Sequence, residues 1–189
     1  MHRTYQPIKK VCNRLEKNKS YSIFPKYVGD NICLWFDGKK LRAKTEYREL
    51  SLEDDCSNFY AQIRKEKEFL EFFKKNRLIE LLGIWTLDKE DIGTFYIYDV
   101  RSIKDKKYKS YIEYVELISP FELKYIPLFT EITDAGLDEI LDINELCKEF
   151  IEDQNVKIDG IMIKNYEDCF LAKSLFSDTH THIIFNDDL

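Results

Sequence analysis

Asp159-Gly160-Ile161-Met162-Ile163-Lys164 sets an acid and a base at the two ends of a short apolar run, with a glycine beside the acid. The run predicts a strand over 158–164, followed by a second strand over 168–174. Asp159 and Lys164 are an odd number of residues apart, so a regular strand would send their side chains to opposite faces. If both serve one pocket, the start of the run must be a turn or a bulge, which Gly160 permits.

The rest of the chain fits around this element. Ile8, Val11, Cys12 and Leu15 predict a short amphipathic helix over 8–19. Asp37-Gly38 separates the apolar run 31–36 from Leu41-Arg42-Ala43-Lys44-Thr45, which predicts a hairpin that Lys26 precedes. Residues 58–75 carry Phe59, Ile63, Phe69, Leu70, Phe72 and Phe73 between charges and read as one helix. Strands are expected over 77–85, 94–100 and 111–118, with a lysine-rich surface turn at 104–109. Ser119 as N-cap, Pro120 at the first helical position and Glu122 at the third predict a helix start. Residues 137–152 read as two helical pieces broken near Asp142-Ile143-Asn144. No repeat or flexible linker divides the chain, so one α+β domain is expected, with antiparallel strands and flanking helices.

Composition narrows the function. With 44% apolar residues, 13 Phe and 12 Tyr, the 189-residue chain has ample core material for one domain. Its formal charge of −6 argues against a protein that coats nucleic acid through bulk positive charge, so any such contact must be local. Cys12, Cys33, Cys56, Cys147 and Cys169 include no Cys-x-x-Cys pair and read as free thiols in a reducing compartment. Residues 1–7 lack an apolar core of the secretory kind, and no apolar run is long enough to span a bilayer. An intracellular, cytoplasmic protein without a membrane partner is the expectation.

Other patches pair a lysine or a carboxylate with a glycine or an aromatic. They are Pro25-Lys26-Tyr27-Val28-Gly29-Asp30-Asn31, Leu78-Ile79-Glu80, Phe95-Tyr96-Ile97-Tyr98-Asp99-Val100 and Phe170-Leu171-Ala172-Lys173-Ser174. In this order, and over roughly 20–178, the series resembles the nucleotidyltransferase domain of ATP-dependent RNA ligases, an ATP-grasp-like ligase domain of α+β class that is loaded with a nucleotide through a lysine.

Position by position, Lys26, Gly29 and Asn31 match a motif usually written Lys-x-Asp-Gly or Lys-x-His-Gly, often followed one residue later by Asn. Arg48 and Leu50 match part of Ser-Arg-x-Arg-x-Leu, whose first arginine helps to hold phosphate; an exposed strand end with mixed charges is the alternative there. Glu80 matches a Gly-Glu motif whose acid contacts the ribose or orients a lysine, and a carboxylate in an apolar strand needs such a partner. Tyr98 stands where the family stacks an aromatic on adenine, although 95–100 taken alone describes an ordinary strand. Asp159 and Lys164 resemble the ends of Glu-Gly-Val-Val-x-Lys, the acid as metal or lysine partner and the lysine reaching the phosphates. Lys173 and Ser174 match the second half of Lys-x-Lys-Ser.

The resemblance implies ATP and Mg²⁺ (or Mn²⁺) as cofactors, with Lys26 attacking the α-phosphate, Lys164 and Lys173 assisting, and RNA ends as the substrate. A lysine attacks only as the neutral amine. Three departures stand against full activity: Val28, Glu46 where arginine is usual, and Leu171 for the first lysine of the last motif. Losses of that kind cost about 10² or more in rate per group. The alternatives are a nucleotide- or RNA-binding module without the chemistry, or a GTP- or DNA-directed relative. With so few residues after the last motif, no added domain is expected to grip RNA, so the chain is expected either to act alone slowly or to depend on a protein partner. Lys104-Asp105-Lys106-Lys107-Tyr108-Lys109 is a second place for RNA backbone, or a solvated turn. His180 and His182 have strand spacing but no third metal ligand nearby.

Overall fold

The computed structural model describes residues 6–7, 15–16, 18–88, 91–134, 136–150, 156–167 and 170–177. The expected helix over 8–19 and the positions of Cys12, Cys169, His180 and His182 therefore lie outside or mostly outside the described residues. The strands are β1 (Gln6–Pro7), β2 (Ser20–Tyr27), β3 (Asp30–Phe36), β4 (Leu41–Lys44), β5 (Ile79–Leu87), β6 (Gly93–Ser102), β7 (Thr130–Thr133), β8 (Ile158–Asn165) and β9 (Phe170–Leu175). The helices are α1 (Phe59–Ile63), α2 (Lys67–Lys75), α3 (Tyr111–Ile118) and α4 (Leu137–Phe150). The class is α+β, and every strand pairing except the parallel β1–β9 contact is antiparallel.

The chain divides into two compact units, one spanning Val28–Ile126 and the other built from 3–27 and 127–189 as far as described. The first holds a four-stranded sheet in the order β4-β3-β5-β6. The hairpin read from Asp37-Gly38 is present, with Phe36 opposite Leu41. Asp37 Oδ1 closes its turn by accepting the N–H groups of Lys39 at 2.8 Å and Lys40 at 2.9 Å. One sheet face carries Ile32, Leu34, Leu41, Ala43, Leu81 and Val100 into an aromatic-rich core with α1, α2 and α3. Phe59 meets Trp85 and Phe95 edge-on, each at 5.1 Å between ring centroids.

Four sequence readings are corrected by the structure. Residues 58–75 form two helices, not one: Lys65 and Glu66 donate to Gln62 and Ile63 three residues back, which tightens and ends α1. Both segments can then turn their aromatics inward, Phe59 from α1 and Phe69, Phe72 and Phe73 from α2.

The predicted strand at 111–118 is the helix α3. Its aromatic and β-branched residues suggested a strand, but Ser110 and Glu113 form a capping box, Glu113 Oε2 accepting the Ser110 N–H at 2.7 Å. Tyr114 and Ile118, one turn apart, are buried. Ser119 caps the end of this helix, its hydroxyl donating to the Val115 carbonyl at 2.6 Å, and the helix start read at Ser119-Pro120 is present only as one 3₁₀ turn, Ser119–Phe121, whose N-cap is Ile118 and not Ser119.

The second unit is a five-stranded sheet in the order β1-β9-β8-β2-β7. α4 runs unbroken through Asp142-Ile143-Asn144 and brings Ile140, Ile143 and Cys147 against Tyr21, Ile23, Ile161, Ile163 and Ala172. Asn144, read as a break, is buried, and its Nδ2 donates to the Leu175 carbonyl at 2.6 Å.

Burial pushes the thiols of Cys33 and Cys147 up to about 12 and that of Cys56 up to about 11. At pH 8 the thiolate fractions are thus about 10⁻³ to 10⁻⁴. Native protein is expected to resist iodoacetamide at these three positions and to react fully in urea, as read by mass spectrometry. Because these folded pKa values lie above those of the unfolded thiols, the stability they contribute is complete below about pH 8.5 and is lost as pH rises toward 12.

Candidate functional site

In the five-stranded sheet, side chains alternate between two faces. Tyr21 and Ile23 of β2, Ile161 and Ile163 of β8, and Ala172 of β9 face α4. The register sets Ser22 opposite Lys164, Phe24 opposite Met162 and Lys26 opposite Gly160. It also sets Lys173 opposite Met162 and Leu171 opposite Lys164. Residues directly opposite share a face, so Lys26, Lys164 and Lys173 all lie on the face away from α4.

The odd spacing of Asp159 and Lys164 is resolved by a bulge. Lys26 pairs with Gly160 and Tyr27 with Ile158, leaving Asp159 as the extra residue of β8. Lys26 Nζ donates to Asp159 Oδ1 at 2.6 Å. The Lys26 side chain is 19% exposed and that of Asp159 40%, so water and a ligand can both reach the pair.

Gly160 has a steric reason to be glycine. A Cβ there would stand 2.1 Å from the Ser174 carbonyl oxygen and 2.8 Å from Leu175 Cα, both on the neighbouring strand. Gly160→Ala is expected to destabilise by roughly 1–3 kcal/mol and to displace Asp159. Urea unfolding would give the first effect, and activity assays with that variant the second; an unchanged unfolding midpoint would contradict this packing.

Lys164 is 1% exposed. Its Nζ lies over the Phe24 ring at 4.7 Å from the centroid and 6.0 Å from that of Tyr166. Leu171, which stands where the resemblance calls for a lysine, is 8% exposed beside it.

Of the sites read in the other unit, Asn31 and Glu80 share the sheet face away from the helices, since Asn31 is four residues along β3 from Trp35, which lies opposite Glu80. Gly29 precedes β3, where a Cβ would stand 2.2 Å from the Trp85 carbonyl oxygen, so close backbone packing already requires a glycine. Asn31 is exposed, opposite Ile84. Glu80 lies on the sheet face away from the helices, with Trp35 opposite on β3 and Arg101 opposite on β6. Arg101 Nε donates to Glu80 Oε2 at 2.8 Å, and a second guanidinium nitrogen reaches the same oxygen. Arg101 was not singled out from sequence. The signal was the unexplained carboxylate in an apolar strand, but naming its partner needs the register across β5 and β6.

That register shifts at Tyr98, the extra residue of a bulge between the Leu82–Asp99 and Gly83–Ile97 pairs. Tyr98 is 1% exposed. Lys44, on the same face as Glu80, holds its Nζ over Trp35 at 5.4 Å. Arg48 is on none of these strands. It sits in the loop after β4, with Nε 2.9 Å from Asp54 Oδ1 and Nη2 donating to the Asp55 carbonyl at 3.2 Å. Among the described residues no three His, Cys, Asp or Glu side chains gather as a metal site, and no helix is long and apolar enough to cross a membrane.

No protein-family model matches the chain, and none of the curated proteins matches it. Solved structures of an RNA ligase from Naegleria gruberi do. A ligand-free variant matches with a TM-score of 0.75 at 19% identity, covering 93% of this chain and 55% of that one. The form with pyrophosphate gives the same four values. A variant with ATP and Mn matches with a TM-score of 0.75 at 17% identity, covering 100% of this chain and 59% of that one. The chain thus has the fold of part of that ligase and spans a little over half the length of those solved chains.

Proposed function

We propose that this chain is an ATP-dependent adenylyltransferase of the RNA ligase type. The observation that carries this reading is the set Lys26, Lys164 and Lys173 on one sheet face, with Asp159 bulged into contact with Lys26, in a fold otherwise seen in an RNA ligase.

In this reading the neutral Lys26 amine attacks the α-phosphorus of ATP. A nitrogen–phosphorus bond forms, the bond to the bridging oxygen breaks, pyrophosphate leaves and Nζ loses a proton. The product is a lysine–AMP phosphoramidate. An oxygen of an RNA 5′-phosphate next displaces Lys26 from the AMP, and a 3′-hydroxyl then displaces AMP to seal the strand. Asp159 holds Nζ in position, while Lys164 and Lys173 oppose the charge that builds on the phosphates. Gly29, Asn31, Glu80 and Tyr98 would contact the nucleotide, as the resemblance implies. Three residues of the resemblance are committed elsewhere in this structure: Glu80 accepts from Arg101, Tyr98 is 1% exposed, and the Arg48 guanidinium holds Asp54 and the Asp55 carbonyl.

Mg²⁺ or Mn²⁺ fits the residues present. Magnesium sites commonly take one or two carboxylates and complete their shell with substrate phosphates and water, and Asp159 is a half-exposed carboxylate of that sort. When bound it would neutralise charge on the phosphates.

The test is incubation with ATP labelled on the α-phosphate and Mg²⁺ or Mn²⁺, with labelled GTP alongside. Label from ATP that survives denaturing electrophoresis supports the reading. Absence of label from either nucleotide, with the protein folded, favours a binding module on this fold; label from GTP alone favours the GTP-directed relative.

A further inference from the structure

The four-stranded unit contains a cavity of about 470 Å³ at its β4 edge, within the range of small-ligand pockets. No part of the proposed chemistry uses it. Its cations are Lys40 from the hairpin turn, Arg42 from β4 and Arg64 from the end of α1.

Arg42 is committed to Glu49 and Asp37. Lys40 and Arg64 are exposed and, among the described residues, make no ion pair. Arg64 instead lies over the Tyr60 ring, 5.6 Å from its centroid, while the Tyr60 hydroxyl donates to the Leu41 carbonyl at 2.9 Å. One wall is braced at Ser51, whose hydroxyl accepts from the N–H groups of Glu53 and Asp54, and the chain beside the cavity is held by Thr45, which accepts from Tyr47 and Arg48, and by Asp55, which accepts from the N–H groups of Tyr60 and Ala61 in α1. Leu52, 60% exposed, forms an apolar rim. Glu53 also lines the cavity, so its positive character is confined to the Lys40 and Arg64 side.

We propose that this cavity holds a phosphate of a single-stranded RNA, with Lys40 and Arg64 on the phosphate and Leu52 beside the adjoining base. RNA as the source of the phosphate rests on the ligase reading; the phosphate chemistry does not. In a chain of formal charge −6, two cations without carboxylate partners beside a braced cavity supply the local attraction that bulk charge denies.

The experiment is fluorescence anisotropy of a labelled single-stranded RNA carrying a 5′-phosphate, titrated with the full chain at several salt concentrations. Lys40→Glu with Arg64→Glu is expected to weaken binding at least about 10-fold and to lower the slope of log affinity against log salt by about 1.4, for two lost contacts at about 0.7 each. Lys104→Glu with Lys106→Glu, the same charge change at the lysine-rich turn, is expected to bind within about 2-fold of wild type. Lys40→Glu alone, on an exposed turn, provides a variant whose folding is not at risk.

Equal losses in both double variants, no loss in either Lys40 variant, no RNA binding by wild type, or complete competition by inorganic phosphate would each overturn the proposal. Labelling from ATP is read in parallel and should persist in the cavity variants. If wild type takes no label yet binds RNA through Lys40 and Arg64, the ligase reading falls and the cavity stands.

Discussion

Under the proposed chemistry, Lys26→Ala is expected to abolish covalent labelling from ATP, a fall of about 10³-fold or more, while the protein stays folded. The size follows from what is removed: alanine leaves no nitrogen for the phosphoramidate bond, and neighbouring groups do not substitute for a missing nucleophile. The fold should tolerate the change. The Lys26–Asp159 pair is open to water, with Asp159 40% exposed, and pairs of that exposure contribute at most about 1 kcal/mol.

Lys26→Arg keeps the charge and its contact with Asp159 but not the nucleophile. It should fail to label as completely as alanine, which separates covalent chemistry from electrostatic binding. Label that persists in both variants would move the nucleophile elsewhere; Lys173, on the same face, would be the next lysine to change.

The sequence carried this site unevenly. The odd spacing of Asp159 and Lys164 called for a turn or a bulge if both residues serve one pocket, and the structure has the bulge, because the period of a regular strand sends an acid and a lysine at that spacing to opposite faces. β2, which carries Lys26, went unread, since Pro25 argues against a strand. Pro25 is tolerated because β7 pairs with β2 only from Ser20 to Ile23, leaving the chain at Pro25 free of a ladder bond on that side. α3 was misread from its side chains although its capping box was written in Ser110 and Glu113. Arg101 stayed hidden for a different reason: its pairing with Glu80 depends on a register that shifts at Tyr98. A bulge has no fixed sequence signature, so partners beyond it cannot be counted off along the chain.

Lys164→Met should separate activity from stability. A lysine 1% exposed is an expensive residue for a fold to keep, because removing an ammonium group from water costs several kcal/mol before any contact offsets it. The Phe24 ring at 4.7 Å offsets part of that, on the order of 2 kcal/mol for a desolvated cation over an aromatic face. Methionine keeps an unbranched chain of similar length among Phe24, Met162 and Leu171, so the melting temperature is expected to hold within a few degrees or to rise. Label formation should nevertheless fall about 10²-fold or more, because a fixed cation on the Lys26 face is lost where phosphate charge develops. Rapid-quench measurement of labelling, beside a thermal melt, distinguishes the outcomes. Wild-type labelling with an unchanged melt would make Lys164 a packing residue only. A collapsed melt would mean that its charge holds β2, β8 and β9 together, and that the cost of burying it is repaid in the fold.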